Sequence, residues 1–317
     1  MKTNFFKSSL ATMAAVAMFL GFIFTSCDSD TETSMSPTST ITDVVVANPN
    51  FSLLKSAVVK ANLATTLSGP GPFTVFAPDN NAFAASGISS ATINALSSEQ
   101  LKDILLYHTL PAKIVSVNVP AGPNAEVVTA GGGKVYVTKN TNGVFVNGWK
   151  VTVPDIVASN GVIHALEHVL LPPTGNIVAT AQANNDLTYL VAAVLRASQG
   201  STDVAAALSG GGPLTVFAPT NQAFIAAGFP TIASIEAADP DVLANILTYH
   251  VVAARAFSTD LSDGQNLTTL NGGQVTVSLV NGAAVKGNGN TTASNITAVN
   301  IMADNGVIHL IDRVLLP

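Results

Sequence analysis

The residues able to do chemistry are few: five histidines, a pair of carboxylates at matched places, and one cysteine. His108 and His250 each follow a tyrosine, while His164 and His309 each end a repeated Asn-Gly-Val-Ile-His, and His168 has Arg313 as its counterpart. Two imidazoles four residues apart would suit a metal on a helix. On a strand, which is the reading here, His164 and His168 stand about 13 Å apart at about 3.3 Å per residue, too far to share an ion. Glu167 and Asp312 alternate with apolar neighbours, which places a carboxylate on an apolar face, where it needs partners or a raised pKa. No second acid recurs at a fixed spacing to complete a glycosidase pair, so each is read as an edge residue or a hydrogen-bonding link.

Other templates fail. There is no Gly-x-Ser-x-Gly elbow and no His-Glu-x-x-His, and Gly131-Gly132-Gly133-Lys134 runs on into Val135 and a strand, where a phosphate loop needs Ser or Thr and a helix. No catalytic residue, metal site or cofactor is expected. His108 and His250 instead extend apolar stripes, Leu101, Ile104, Leu105 and Leu243, Ile246, Leu247, at helical spacing. A histidine there is expected to be a neutral core residue whose ring nitrogens bond backbone groups. Ser97 or Ser98 caps the first of these helices; Asp239 caps the second, with Pro240 at its first position.

The elements that position these residues are written twice. Pro72-Phe73-Thr74-Val75-Phe76-Ala77-Pro78 answers Pro213-Leu214-Thr215-Val216-Phe217-Ala218-Pro219 at an offset of 141, Tyr107-His108 answers Tyr249-His250 at 142, and the pentapeptides lie 145 apart. Such steady offsets mean two tandem domains, 41–172 and 177–317, while the period is far too long for a solenoid. Each begins with amphipathic helices, breaks at a Gly-Pro stretch and enters a strand. Asp79 or Thr220 then caps a short helix that stops at Gly87 or Gly228. The second half of each unit is β: Asn142-Gly143 and Asn281-Gly282 are expected to turn hairpins as type I′ turns, and Asn160-Gly161 and Asn305-Gly306 to turn the closing strand pair. A Gly- and Asn-rich insertion, Lys286 to Asn295, is expected in a surface loop.

The chain has 317 residues, 48% hydrophobic and 10% charged, so packed domains with a Ser-, Thr- and Asn-rich surface are expected. Its 13 basic residues are outnumbered by 19 acidic ones and form no cluster, which argues against nucleic acid. Residues 1–26 read as a signal peptide: Lys2 and Lys7, an apolar run of 15 residues from Leu10 to Phe24, then Thr25-Ser26. Cys27, the only cysteine, follows directly and resembles the lipidated cysteine of bacterial lipoproteins, with a loose preceding sequence similar to those of Bacteroidetes. Cleavage there leaves 11 basic and 19 acidic residues, a net of −8, so the acyl chains must supply the membrane attachment. Residues 27–40 are polar and acidic and read as a tether, similar to the export signals of surface lipoproteins. An outer-membrane, surface-exposed location is expected.

Thr-Val-Phe-Ala-Pro followed by Asn and Ala-Phe, a Tyr-His at a helix end, and Asn-Gly-Val-Ile-His leading to Val-Leu-Leu-Pro together resemble the fasciclin domain, present twice over residues 41–317. The resemblance implies an α+β fold in which a layer of short helices packs on a wedge-shaped β-sandwich, and a role in adhesion rather than catalysis. It also implies that Tyr107, His108, Tyr249 and His250 take part in binding. The expected partner is a surface protein, matrix or polysaccharide; the alternative is an envelope receptor for a glycan or lipid.

Overall fold

The computed structural model describes residues 38–317; the leader, Cys27 and most of the tether lie outside the described residues. Two units of the same design follow one another. In the first, helices α1 (Ile41–Ala47), α2 (Ser52–Lys60) and α3 (Ala64–Ser68) precede strand β1 (Phe73–Pro78), and α4 (Asn80–Ala85), α5 (Ser90–Ala95) and α6 (Ser98–Tyr107) follow it. Six strands complete it: β2 (Thr109–Leu110), β3 (Gly122–Val128), β4 (Lys134–Asn140), β5 (Gly143–Val146), β6 (Trp149–Ala158) and β7 (Gly161–Leu166). The second repeats the order with α7 (Ile177–Gln182), α8 (Thr188–Ala197), α9 (Val204–Ser209), β8 (Leu214–Pro219), α10 (Asn221–Ala226), α11 (Ile232–Glu236) and α12 (Pro240–Tyr249). Its remaining strands are β9 (Val251–Val252), β10 (Asn266–Thr268), β11 (Gln274–Ser278), β12 (Ala284–Gly287), β13 (Ser294–Ala303) and β14 (Gly306–Ile311).

Each unit has one sheet in the order β2-β1-β7-β6-β5-β4-β3 or its equivalent, antiparallel except for the β1–β7 and β8–β14 pairs. The sheet doubles over, so that Phe76 and Leu166 of the central strands pack against Val135, Val137 and Val146 of the outer ones and enclose a first core. A second core lies on the other face of β1 and β7, where Val75, Ala77 and Ile163 meet Leu54, Val58 and Leu105 of the helices. The central strands β7 and β14 are therefore buried on both faces. That is why they read as continuous apolar runs rather than as alternation.

The caps stand where the side-chain oxygens direct. Asp79 Oδ1 accepts Ala82 N–H at 2.8 Å and Thr220 Oγ1 accepts Ala223 N–H at 3.3 Å, while Gly87 and Gly228 take φ of +68° and +96°. Ser97 caps α6 through a capping box with Gln100, and Asp239 caps α12 ahead of Pro240.

The expected turns need correction. Between β4 and β5 the pair Asn140↔Gly143 closes around Thr141-Asn142, Asn140 Oδ1 accepts Asn142 N–H, and Gly143 alone takes a positive φ. Between β11 and β12 residues 279–283 form a longer loop. Ala158 pairs with Gly161 and Ala303 with Gly306, so the closing turns are Ser159-Asn160 and Asp304-Asn305. An Asn side chain bonding its own loop, or a Gly one place later, relieves the chain without a type I′ turn.

The repeated Asn-Gly has a different task. Asn160 Oδ1 accepts Ile41 N–H at 2.9 Å, its Nδ2 donates to Leu67 O and Gly69 O, and its carbonyl accepts Phe73 N–H. Asn305 repeats all four bonds with Ile177, Leu208, Gly210 and Leu214. The glycine after it is demanded by crowding: a Cβ on Gly161 would stand 2.1 Å from Phe73 O, and one on Gly306 2.3 Å from Leu214 O.

The two units touch through unlike surfaces. Strands β3 and β4 of the first meet the segment 255–260 of the second, where the Arg255 guanidinium lies 4.0 Å from the Tyr136 ring centroid. Asn124 Nδ2 donates to Arg255 O and to Asp260 Oδ2, Asn300 Nδ2 donates to Gly148 O at 3.2 Å, and the Phe257 and Tyr136 rings are tilted 6.2 Å apart.

Candidate functional site

The Tyr-His pairs sit where α6 and α12 end, and both members are buried in each domain. His108 Nδ1–H donates to Ile104 O at 2.8 Å, one turn back on its own helix, and its Nε2 accepts Leu170 N–H at 2.9 Å from the closing Leu-Leu-Pro segment. His250 does the same between Ile246 O and Leu315 N–H, both at 2.8 Å. Each ring is a strut between helix and chain end, and accepting through Nε2 requires the neutral form. Burial accordingly holds both groups down to about 4.

The tyrosines reach the other way. Tyr107 Oη donates to Lys134 O at 2.8 Å and accepts Asn147 Nδ2–H, and burial pushes its phenol up to about 12. Tyr249 Oη donates to Gln274 O and accepts Asn288 N–H. Each ring lies against the next turn so closely that a Cβ on Gly133 would be 3.0 Å from Tyr107, and one on Gly273 2.7 Å from Tyr249. The glycines of Gly131-Gly132-Gly133 serve this contact and the turn between β3 and β4, with Gly132 at φ +82°.

The pentapeptide histidines are also struts. His164 Nδ1 accepts Asp155 N–H at 3.1 Å and its Nε2–H donates to Ile114 O at 2.8 Å; His309 binds Asn300 N–H and Ala256 O alike. Asp155 and Asn300 are the residues at which β6 and β13 bulge, with φ of +60° and +61°. The histidine thus satisfies the amide that the bulge turns away from the ladder. Burial holds His309 down to about 4.

The carboxylates are links, and neither lies on an apolar face. Strand β7 stops one residue before Glu167, which is exposed and accepts Lys150 N–H at 2.8 Å. Asp312 accepts Asn295 N–H, Asn295 Nδ2–H and Ser294 Oγ–H. The insertion Lys286–Asn295 is docked rather than free: Asn290 donates to Val314 O and accepts Leu316 N–H, and Gly289 N–H donates to Leu316 O. Trp149, the only tryptophan, has one face covered by His168, ring centroids 3.8 Å apart. No group of three His, Cys, Asp or Glu able to hold a metal occurs among the described residues.

The structure therefore brings Tyr107 and His108, like Tyr249 and His250, into internal networks rather than onto a shared surface, and places Cys27 outside the described residues. Asp155, Asn300 and the Arg255–Tyr136 contact were not singled out from sequence. The unusual Pro154-Asp155 inside a strand pattern was the one available signal for the bulge.

The chain is similar to several known proteins. A 42% identical stretch of 138 residues links the chain to protein sll1483 of Synechocystis, covering 42% of this chain and 74% of that protein. The transforming growth factor-beta-induced protein ig-h3 of Sus scrofa is 30% identical over 80% of this chain, and human periostin 27% over 88%; the chain spans 36% and 31% of their lengths. A solved FAS1 domain pair from the insect cell adhesion molecule fasciclin I aligns over 87% of this chain and 96% of its own, at 17% identity and a TM-score of 0.41. The model of the fasciclin domain matches twice, over residues 49–172 and 186–317, and the chain belongs to the fasciclin domain family.

Proposed function

We propose that the protein is a lipid-anchored component of a bacterial cell envelope that binds a surface protein, matrix or polysaccharide through its two fasciclin domains. Family membership supports a general adhesion or binding role. The observation that carries the reading is the internal use of the reactive groups: four of the five histidines, both Tyr-His tyrosines and both matched carboxylates are spent on holding backbone. Such side chains are not free to attack or transfer a proton to a substrate, so the activity is assigned to surface recognition rather than catalysis. The Tyr-His pairs take part by fixing the β3–β4 and β10–β11 turns and the chain ends that a partner would meet. The glycan alternative is weakened by Trp149, one of whose two stacking faces is occupied by His168.

The anchor rests on sequence: a signal at 1–26, Cys27 after it, and a polar tether to residue 40, followed by domains at 41–172 and 177–317. No helix among the described residues is long and apolar enough to cross a membrane. Cys27→Ser is expected to move the protein from the membrane fraction to the soluble one; retention in washed membranes would overturn the anchor. The binding role is tested by pull-down from intact envelopes with the mature protein and with each domain alone. If both domains engage together, the pair should retain a partner at least tenfold longer than either domain, and Arg255→Ala, which loosens the junction, should lose part of that gain. Equal retention by one domain would confine binding to it.

A further inference from the structure

The two domains differ at the mouth of the core enclosed by the doubled sheet. In the first, an apolar cavity of about 210 Å³ opens beneath the segment 113–118, walled by Phe76, Val119, Val127, Val137, Val144 and Val151. This exceeds the roughly 150 Å³ of an engineered apolar cavity that stays dry and takes up benzene. The polar groups on its wall are already committed. Thr74 Oγ1 bonds Ala112 O and Ile114 N–H, Ser116 Oγ bonds Asp155, and both His164 nitrogens are bonded.

Two side chains at the mouth are exposed and make no hydrogen bond among the described residues: Lys113 and Asn118. Lys113 has no carboxylate within ion-pair distance there, and no Asp or Glu lines the cavity. The site is thus an apolar pocket with one uncompensated cation and one amide at its rim. In the second domain the same position is closed. Arg255, the counterpart of Lys113, lies on Tyr136 and donates to Gly306 O, and Asp260, the counterpart of Asn118, is bonded by Asn124 of the first domain.

We propose that the first domain binds a medium-chain carboxylate, its tail of about six to eight carbons in the cavity and its head group on Lys113 and Asn118. The charge selects an anion over a neutral lipid, and the volume of the cavity sets the tail length. This goes beyond the binding of a macromolecular partner and does not depend on it.

The experiment is calorimetric titration of the mature protein with octanoate, octan-1-ol and acetate. Octanoate should bind and acetate should not. Lys113→Gln should weaken octanoate about fivefold, as expected for a rim-exposed ion pair, and leave octan-1-ol unchanged. Val144→Phe, which fills the cavity, should lose both by at least tenfold. Because that variant must first fold, methyl NMR of the unaltered protein gives an independent reading: octanoate should shift Val137 and Val151 saturably and leave their second-domain counterparts Val277 and Ile296 in place. Absence of saturable shifts, or an equal loss of octanoate and octan-1-ol in Lys113→Gln, overturns the proposal.

Discussion

Gly161→Ala lowers the stability of the first domain by about 3 kcal/mol or more, measured as the loss of its denaturant midpoint. The added methyl would lie 2.1 Å from Phe73 O and 2.9 Å from the Ile41 side chain. The first of these neighbours is backbone, held by the parallel pair Phe73↔Gly161 and by the bond from Phe73 N–H to Asn160 O. A side chain could rotate away, but this carbonyl cannot without breaking the ladder between β1 and β7, on which both cores rest. Gly161 is not among the glycines of positive φ, so relief of backbone strain is not at issue. Gly87→Ala, at φ +68° with nothing within 4 Å of its Cβ, is the control and should cost only about 1 kcal/mol. Equal losses in the two variants would show that crowding at Gly161 is absent.

Acidification is expected to destabilise both domains well before the carboxylates titrate. His108, His250 and His309 are held down to about 4 by burial, against 6.5 for the free side chain. A histidine whose folded pKa is depressed leaves the unfolded chain binding more protons between those two values. Its contribution is fully present above pH 6.5 and is lost as pH falls toward 4, at a little over 1 kcal/mol per pH unit for each group once the unfolded form is charged. Midpoints measured from pH 7 to pH 4.5 should fall steeply. His250→Ala removes one such group, and leaves Leu315 N–H and Ile246 O without their partner, so it should lower stability at pH 7 by about 2 to 4 kcal/mol and flatten the pH dependence. An unchanged slope in that variant would mean that His250 is not buried neutral.

Much of this was legible from residue types. The duplication, the helix caps at Asp79, Thr220, Ser97 and Asp239, and the neutral, backbone-bonded state of His108 and His250 follow from local rules that depend on few neighbours. The fasciclin resemblance carried the α+β arrangement. Most departures from the sequence reading come from a partner distant in sequence, whereas the β4–β5 turn is shifted by a local bond to Asn140 Oδ1. Asn160 and Asn305 look like turn residues, yet their side chains bond segments some 90 to 130 positions away. Glu167 reads from sequence as lying on an apolar face because β7, buried on both sides, shows no alternation to mark its last residue. The insertion at Lys286–Asn295 has loop composition, but its amides find the chain terminus, which no local pattern announces.

The junction between the domains has a consequence for how copies of the chain meet. It joins the outer strands of one domain to the segment after β9 of the next, a head-to-tail arrangement that would propagate into a ring or an open filament if every domain carried both halves of the match. The halves are not both repeated. Where the first domain offers the Tyr136 ring, the second has Thr276, and where the second presents Arg255, Phe257 and Asp260, the first has Lys113, Val115 and Asn118. The free ends are mismatched by divergence of the duplicate, so the contact made inside the chain is not repeated between neighbouring copies. The match is made once, inside the chain, and the two outward faces do not carry its other half.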